Sequence, residues 1–235
     1  MPEVLLPNYK KIAKENKKEE PADITDKEVE DFILRIRKER AHDDLHESGS
    51  THDDHNPENI SEEKLPPLTD ESVAKIGAFK TVAEFKEKVK ENLTEDKTHR
   101  LKEKNRLQII DAIIKETKVS VPIVLIEIEI ENMLARFKSD LQNMGMNFDE
   151  YIKKVGKTEE SIRNEMKGDA KKRAIIQLVV HHIAKKENIT ANKEKLEAEV
   201  KKVVEAYKDA DEAYVRQYFD NILTNEEVFT FLENQ

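Results

Sequence analysis

The sequence predicts an all-α fold, an elongated set of helices with wet faces. Three observations carry that expectation. Apolar residues recur three and four positions apart over many turns, as in Ile126, Ile130, Met133, Leu134, Phe137, Leu141 and Met144. Thr stands three residues before Glu at the head of several such runs (Thr25 with Glu28, Thr81 with Glu84, Thr224 with Glu227), the spacing of a reciprocal capping box. Charged residues make up 39% of the chain against 37% hydrophobic, with no Trp and only five Gly, a composition that suits long helices better than a thick globule.

Taken in order, residues 1 to 22 are charged and Pro-punctuated, with Val4, Leu5, Leu6 and Ile12 as anchors, and read as an extended arm. The Thr25 cap opens a helix whose narrow stripe, Val29, Phe32, Ile33 and Ile36, lasts to Ala41. Residues 42–64 hold almost no apolar side chain and read as a flexible, exposed linker rich in His and Asp. From Leu65 a Pro-marked turn leads to a short helix through Val73 and Ile76, closed by Gly77. A helix capped by Thr81 then runs without Gly or Pro to about Glu116. Its ends are apolar, but its middle has only Leu101, and His99 sits there as a surface residue.

The stretch from Val119 to Tyr151 organises the rest. Ile126, Ile128 and Ile130 alternate with Glu127, Glu129 and Glu131 as a half-buried strand would. Ser120 as a cap, Pro122 in the first turn and the long apolar spacing that follows favour a helix, stopped by Gly145. Asn147 with Glu150 caps a short helix ended by Gly156, and Thr158 starts a long one to about Glu187. Gly168 in its middle predicts a close helix contact or a bend. His181 and His182, in its most apolar turn, read as core or boundary histidines. A brief link at Ile189 leads to a helix with Leu196, Val200, Val203, Val204 and Tyr207, a further helix with Tyr214, Val215, Tyr218 and Phe219, and a final one capped by Thr224. No strand with a partner is expected.

Several function classes are excluded. Acids outnumber bases 50 to 41 and the signs are interspersed, so no basic face is offered to nucleic acid. No window approaches the roughly 20 apolar residues of a membrane span, and the short apolar run of Val4 to Leu6 is no signal peptide; the expected location is cytoplasmic. Without Cys there is no disulfide, thiolate site or Cys nucleophile. No phosphate loop, nucleophile motif or HExxH is present, so neither catalysis nor a cofactor is implied. His42, His46, His52 and His55 among Asp43, Asp44, Asp53 and Asp54 are the one concentration of ligand residues. They fit weak zinc or nickel binding, or, more simply, a polar linker without a task.

A family resemblance adds to this. LPPLTDESVAKIGAFKTVAEFKEKVKENL, KVSVPIVLIEIEIENML, NFDEYIKKVGKTEESIRNEM, IIQLVVHHIAKKENIT and EEVFTFLENQ, in that order, resemble the C-terminal, SurA-like chaperone domain of bacterial trigger factor over Leu65 to Gln235. PEVLLPNYKKIAKE and the helix after it are similar to the family's linker ahead of its isomerase domain. Against the family's pattern, the ribosome-binding domain, with its Phe-Arg-Gly-Lys type loop, is expected to be missing, and the His/Asp linker is expected to stand where the FKBP-like prolyl isomerase would be. Ribosome docking and isomerase activity are therefore not carried over. The chain is expected to be a short form of the family, or one whose start is misplaced.

The resemblance implies an ATP-independent holdase in protein folding, with a part in protein transport, whose two helical arms cradle unfolded or nascent polypeptides. Its client surface is expected at Met133, Phe137, Leu141, Met144, Met146, Phe148 and Tyr151 on one arm and at Tyr214, Tyr218 and Phe219 on the other. The competing reading is a scaffold whose apolar edges bury against a fixed partner or in a homodimer. Metal binding through the His-rich linker is the third.

Overall fold

The computed structural model describes residues 2–18, 20–47, 60–61 and 65–235, and for 43–47 the backbone alone. Among these residues the chain is helical almost throughout, and it divides into two compact units, Met1–Lys18 with Asn105–Gln235, and Glu19–Lys104. The divisions expected at 41/42 and 64/65 both fall within the second unit.

The second unit is built from α2 (Asp26–Glu47), α3 (Asp70–Ile76) and the first part of α4 (Val82–Glu116). Val29 and Ile33 of α2, Val73 of α3, and Phe85 and Val89 of α4 form its core. The Thr25 capping box is present: the Glu28 N–H donates to Thr25 Oγ1 at 3.2 Å and the Thr25 N–H to Glu28 Oε2 at 2.7 Å. Thr69 and Ser72 make a second box at the head of α3. The α2 helix continues to Glu47, past the expected end at Ala41. A helix already nucleated adds residues at little cost, and no Gly or Pro interrupts the sequence before Gly49.

In the first unit the expected extended arm is instead structured. Val4–Leu5 (β1) pairs antiparallel with Lys118–Val119 (β2), and Tyr9–Asn16 (α1) is a helix capped by Asn8. Tyr9, Ile12 and Ala13, at i, i+3 and i+4, put one narrow face of α1 into the core. There it meets Ile109, Ile110 and Ile113 of α4, Val179, Val180 and Ile183 of α7 (Glu159–Glu187), and Val228 and Leu232 of α9 (Glu212–Glu233). The Tyr9 hydroxyl donates to Glu187 Oε1 at 2.6 Å, and Lys10 pairs with the same carboxylate at 2.9 Å. Burial first, then the Glu187 carboxylate, push the Tyr9 phenol well up. The expectation of no paired strand is corrected by the β1–β2 ladder, a two-residue pairing too short and too distant in sequence to leave a periodic signal.

Two helix ends also differ from expectation. Pro122, not Ser120, occupies the N-cap of α5 (Ile123–Asn143). The separate final helix does not exist: α9 runs unbroken from its Asp211 cap, and Thr224 lies inside it. At Gly168 a close helix contact is absent, since among the described residues no neighbouring heavy atom lies within 4 Å of an added Cβ. The predicted stops at Gly145 and Gly156 are both left-handed (φ 71° and 66°). Behind Gly145 the Met146 N–H returns to the Leu141 carbonyl at 2.9 Å, closing the end of α5.

Candidate functional site

The expected client residues lie on two helical hairpins of the first unit. The first joins α5, α6 (Phe148–Val155) and the N-terminal half of α7. Its helices α5 and α7 run antiparallel: Lys138 pairs with Glu159 at 3.2 Å, Glu131 with Arg163 at 2.7 Å, and Glu129 Oε1 accepts from Gln177 Nε2 at 2.7 Å. The second joins α8 (Lys193–Ala206) to the start of α9, fastened by Arg216, which pairs with Glu197 across the hairpin and with Glu212 on its own helix.

On the first hairpin the structure separates residues that the sequence grouped together. Leu141 and Phe148, 5% and 8% exposed, are buried with Leu134 and Ile162 in a small core at the tip. Phe137, Met146 and Tyr151 are half-buried against it, with the Phe137 ring edge-on to Phe148 at 6.0 Å and to Tyr151 at 5.3 Å. Met133 is half-buried. Met144 alone of the seven stands in solvent, 75% exposed, because it follows the last turn of α5 and turns away at the Gly145 stop. The cause is geometric: an eight-residue α6 folding back over α5 needs an apolar underside, and the edge and tip residues supply it.

On the second hairpin Tyr214 and Tyr218 are exposed, the former by 70%, and Phe219 is half-buried with its ring edge-on to Tyr218 at 5.4 Å. Ile222 continues the same stripe at four-residue spacing, and Tyr207, the C-cap of α8, is exposed as well. Ile222 was legible as the third member of an i, i+4, i+8 series.

A further exposed patch, Ile123, Val124 and Ile128, lies in the first turns of α5, with Ile123 72% exposed. Here the helical period carried a signal that sequence reasoning missed. If Ile126 and Ile130 face inward, Ile128 at 100° per residue must face out and Glu129 must turn in, and Glu129 is indeed buried against Gln177.

Charge pairs hold these helices in register. Lys138 and then Arg163 hold the Glu159 carboxyl below the usual glutamate range; Arg216 does the same for Glu197, and the Tyr9 hydroxyl and Lys10 for Glu187. A folded value below the unfolded one stabilises fully above the unfolded glutamate pKa, about 4.3, and is lost as pH falls through the lowered folded value. The thermal midpoint is therefore expected to drop as pH is lowered through about 4.3 and below, and less steeply in about 1 M salt, which screens exposed pairs. A flat acid limb in calorimetry would show that these pairs hold nothing.

Of the linker's His and Asp residues only His42 has a described side chain, which is half-buried; His52, Asp53, Asp54 and His55 lie outside the described residues. Among the described residues no three His, Cys, Asp or Glu side chains are placed to hold a metal ion. His181 is exposed, and His182 is half-buried, with Nδ1 2.8 Å from the Leu178 carbonyl.

The fold and these surfaces define a class: a helical scaffold whose two hairpins carry large apolar side chains in solvent. The family model described as "Bacterial trigger factor protein (TF) C-terminus" matches residues 81–234. The chain belongs to that family. It is 34% identical over 148 residues to the trigger factor of Alkaliphilus oremlandii, covering 63% of this chain and 35% of that protein. The trigger factors of Alkaliphilus metalliredigens (34% over 149 residues; 63% and 35%) and Finegoldia magna (31% over 160; 68% and 36%) are similar. The chain thus spans about a third of the length of the curated relatives it matches. A solved structure described as "Promiscuous Substrate Recognition in Folding and Assembly Activities of the Trigger Factor Chaperone" aligns with all of this chain and 73% of its own, but a TM-score of 0.45 and 16% identity are too low to bear on the fold.

Proposed function

We propose that the chain is a chaperone in protein folding: a nucleotide-independent holdase that takes up apolar segments of unfolded or nascent polypeptides and releases them passively. The same holding action would keep chains competent for transport. The observation that carries this reading is the exposed stripe Tyr214, Tyr218 and Ile222 on one hairpin, matched by Ile123, Val124, Ile128 and Met144 on the other. Family membership supports it.

Such surfaces attract without direction, at roughly 25 cal/mol per Å² of apolar area covered. Ordering the client offsets much of that, so a single patch holds weakly and several together hold well. Tyr suits the task because its ring covers apolar area while its hydroxyl remains wet. Met144, unbranched and polarizable, adapts to unlike shapes. No catalytic step and no cofactor is part of the proposal. The place of action we propose is the cytoplasm; among the described residues no helix is long and apolar enough to cross a membrane.

The test is light scattering of a denatured, aggregation-prone protein diluted into buffer with increasing amounts of this chain. Suppression near a one-to-one ratio without nucleotide is expected, and the triple variant Tyr214→Ser, Tyr218→Ser, Ile222→Ser is expected to lose about half of it or more, since it removes one of two surfaces that act jointly. Its helicity should be unchanged. If the wild-type chain fails at several-fold excess while its mass in solution rises to that of a dimer with concentration, the stripes pair with a second copy and the scaffold reading takes over.

A further inference from the structure

The second unit contains a groove already occupied by part of its own chain. Residues 20–25, ahead of α2, have no regular secondary structure, and they and Asp26 are held by three lysines of α4 spaced seven residues apart. Lys104 Nζ pairs with Glu20 at 3.1 Å, Lys97 Nζ donates to the Asp23 backbone carbonyl at 2.7 Å, and Lys90 Nζ pairs with Asp26 at 3.1 Å. The two repeats match. Seven residues of helix advance about 10.5 Å, and three residues of extended chain about 10 Å, so each lysine meets its oxygen as the two segments run in opposite directions.

Between the lysine contacts, Ile24 packs against the unit's core. Beside it the surface is open. Ile24, Phe32, Leu93, Lys97 and Arg100 line a cavity of about 440 Å³. The lysine contacts are exposed, and Asp26 is 92% so. Exposed pairs are individually weak and fade with salt, so the strap is held by their sum and can lift.

We propose that this groove is a docking seat for an extended acidic segment of another polypeptide, one with a large apolar residue between its carboxylates, and that residues 20–26 occupy it in cis until displaced. The seated strap displays the chemistry the groove selects. In a chain with a net charge of -9, lifting it leaves three lysines without these oxygens along one helix face. The open depression beside Ile24 has room for a side chain larger than Ile. Glu28, Asp31 and Asp96 line the same depression and balance Arg35, Lys97 and Arg100 there, so it takes the peptide's apolar residue rather than a further anion. The inference does not depend on the client-holding reading, since every residue it uses belongs to the second unit.

The experiment uses the full chain and a labelled peptide of sequence Glu-Glu-Pro-Ala-Asp-Ile-Thr-Asp, with a second peptide carrying Phe in place of Ile. The strap-weakened variant Glu20→Gln, Ile24→Ser, Asp26→Asn should bind about tenfold tighter than wild type, because a pre-filled seat reduces apparent affinity by its occupancy. The Phe peptide should bind more tightly than the Ile peptide, and Lys90→Gln, Lys97→Gln, Lys104→Gln should abolish binding of both. Absence of binding to the strap-weakened variant, equal binding without the lysines, or better competition by a single-stranded oligonucleotide would overturn the proposal. Hydrogen exchange on the wild-type chain guards against misfolded variants. Amides of residues 22–26 should exchange faster with added salt and with the Phe peptide, and indifference to both would also overturn it.

Discussion

Replacing Leu141 or Phe148 with Ala is expected to destabilise the tip of the first hairpin by about 3 kcal/mol, whereas Met144→Ala changes stability by less than about 0.5 kcal/mol. Leu141 and Phe148 fill a small core with Leu134 and Ile162, and truncation leaves a cavity that the short α6 cannot close by shifting. Phe148 also supports the Phe137 ring and the Lys138 ammonium, which stands 4.6 Å from its centroid, so its loss removes more than area. This core is distinct from the one formed by α1, α4, α7 and α9. The damage should therefore appear as faster hydrogen exchange over residues 134–162, with the amides of Ile109–Ile113 and Val179–Ile183 unaffected. Equal protection loss in Met144→Ala would return Leu141 and Phe148 to the surface.

The second large effect is expected at Arg106, where Arg106→Ala should cost about 3 kcal/mol. Its side chain is 9% exposed and binds two carboxylates of α9: Glu226 through both terminal nitrogens, at 2.8 and 2.7 Å, and Glu233 through Nε at 2.9 Å. The guanidinium also lies over the Phe229 ring, 5.6 Å from its centroid. Removing it strips the mostly buried Glu233 of this counter-ion, while the half-exposed Glu226 recovers part of its loss from water, which keeps the cost at the lower end of the usual range. Arg106→Lys should recover only part, because an ammonium cannot serve two carboxylates in a forked geometry. Urea unfolding followed by circular dichroism measures both variants. Wild-type stability in Arg106→Ala would mean that the clasp orients α9 without stabilising it.

The helical class and most helix ends were legible in the residues alone, because those are local matters. A capping hydroxyl three residues before its amide, a Gly able to take positive φ, and an apolar period of three to four act within one or two turns. So Thr25, Thr158, Gly145 and Gly156 sit where they were expected. The family was legible as well, since its short motifs keep their order along the chain.

Which apolar residues find a partner depended on the packing of distant segments. Leu141 and Met144 look alike in sequence and share one helical edge, yet one is roofed by α6 and the other is not. The N-terminal stretch looked too charged to be anything but a tether. It became the helix α1 because three residues on one face met a core built from segments about a hundred and more positions away. Thr224 carried a cap signature and caps nothing: α9 runs through it without a break, with Val228 and Leu232 buried and the Arg106 clasp holding its far end. Burial is a property of the neighbour as much as of the residue, and non-local neighbours leave no period in the sequence. The exposed stripe shows the same division: the spacing of Tyr214, Tyr218 and Ile222 was written in the chain, but only the packing, which buries Val215 and leaves these three in solvent, decided which face stays open.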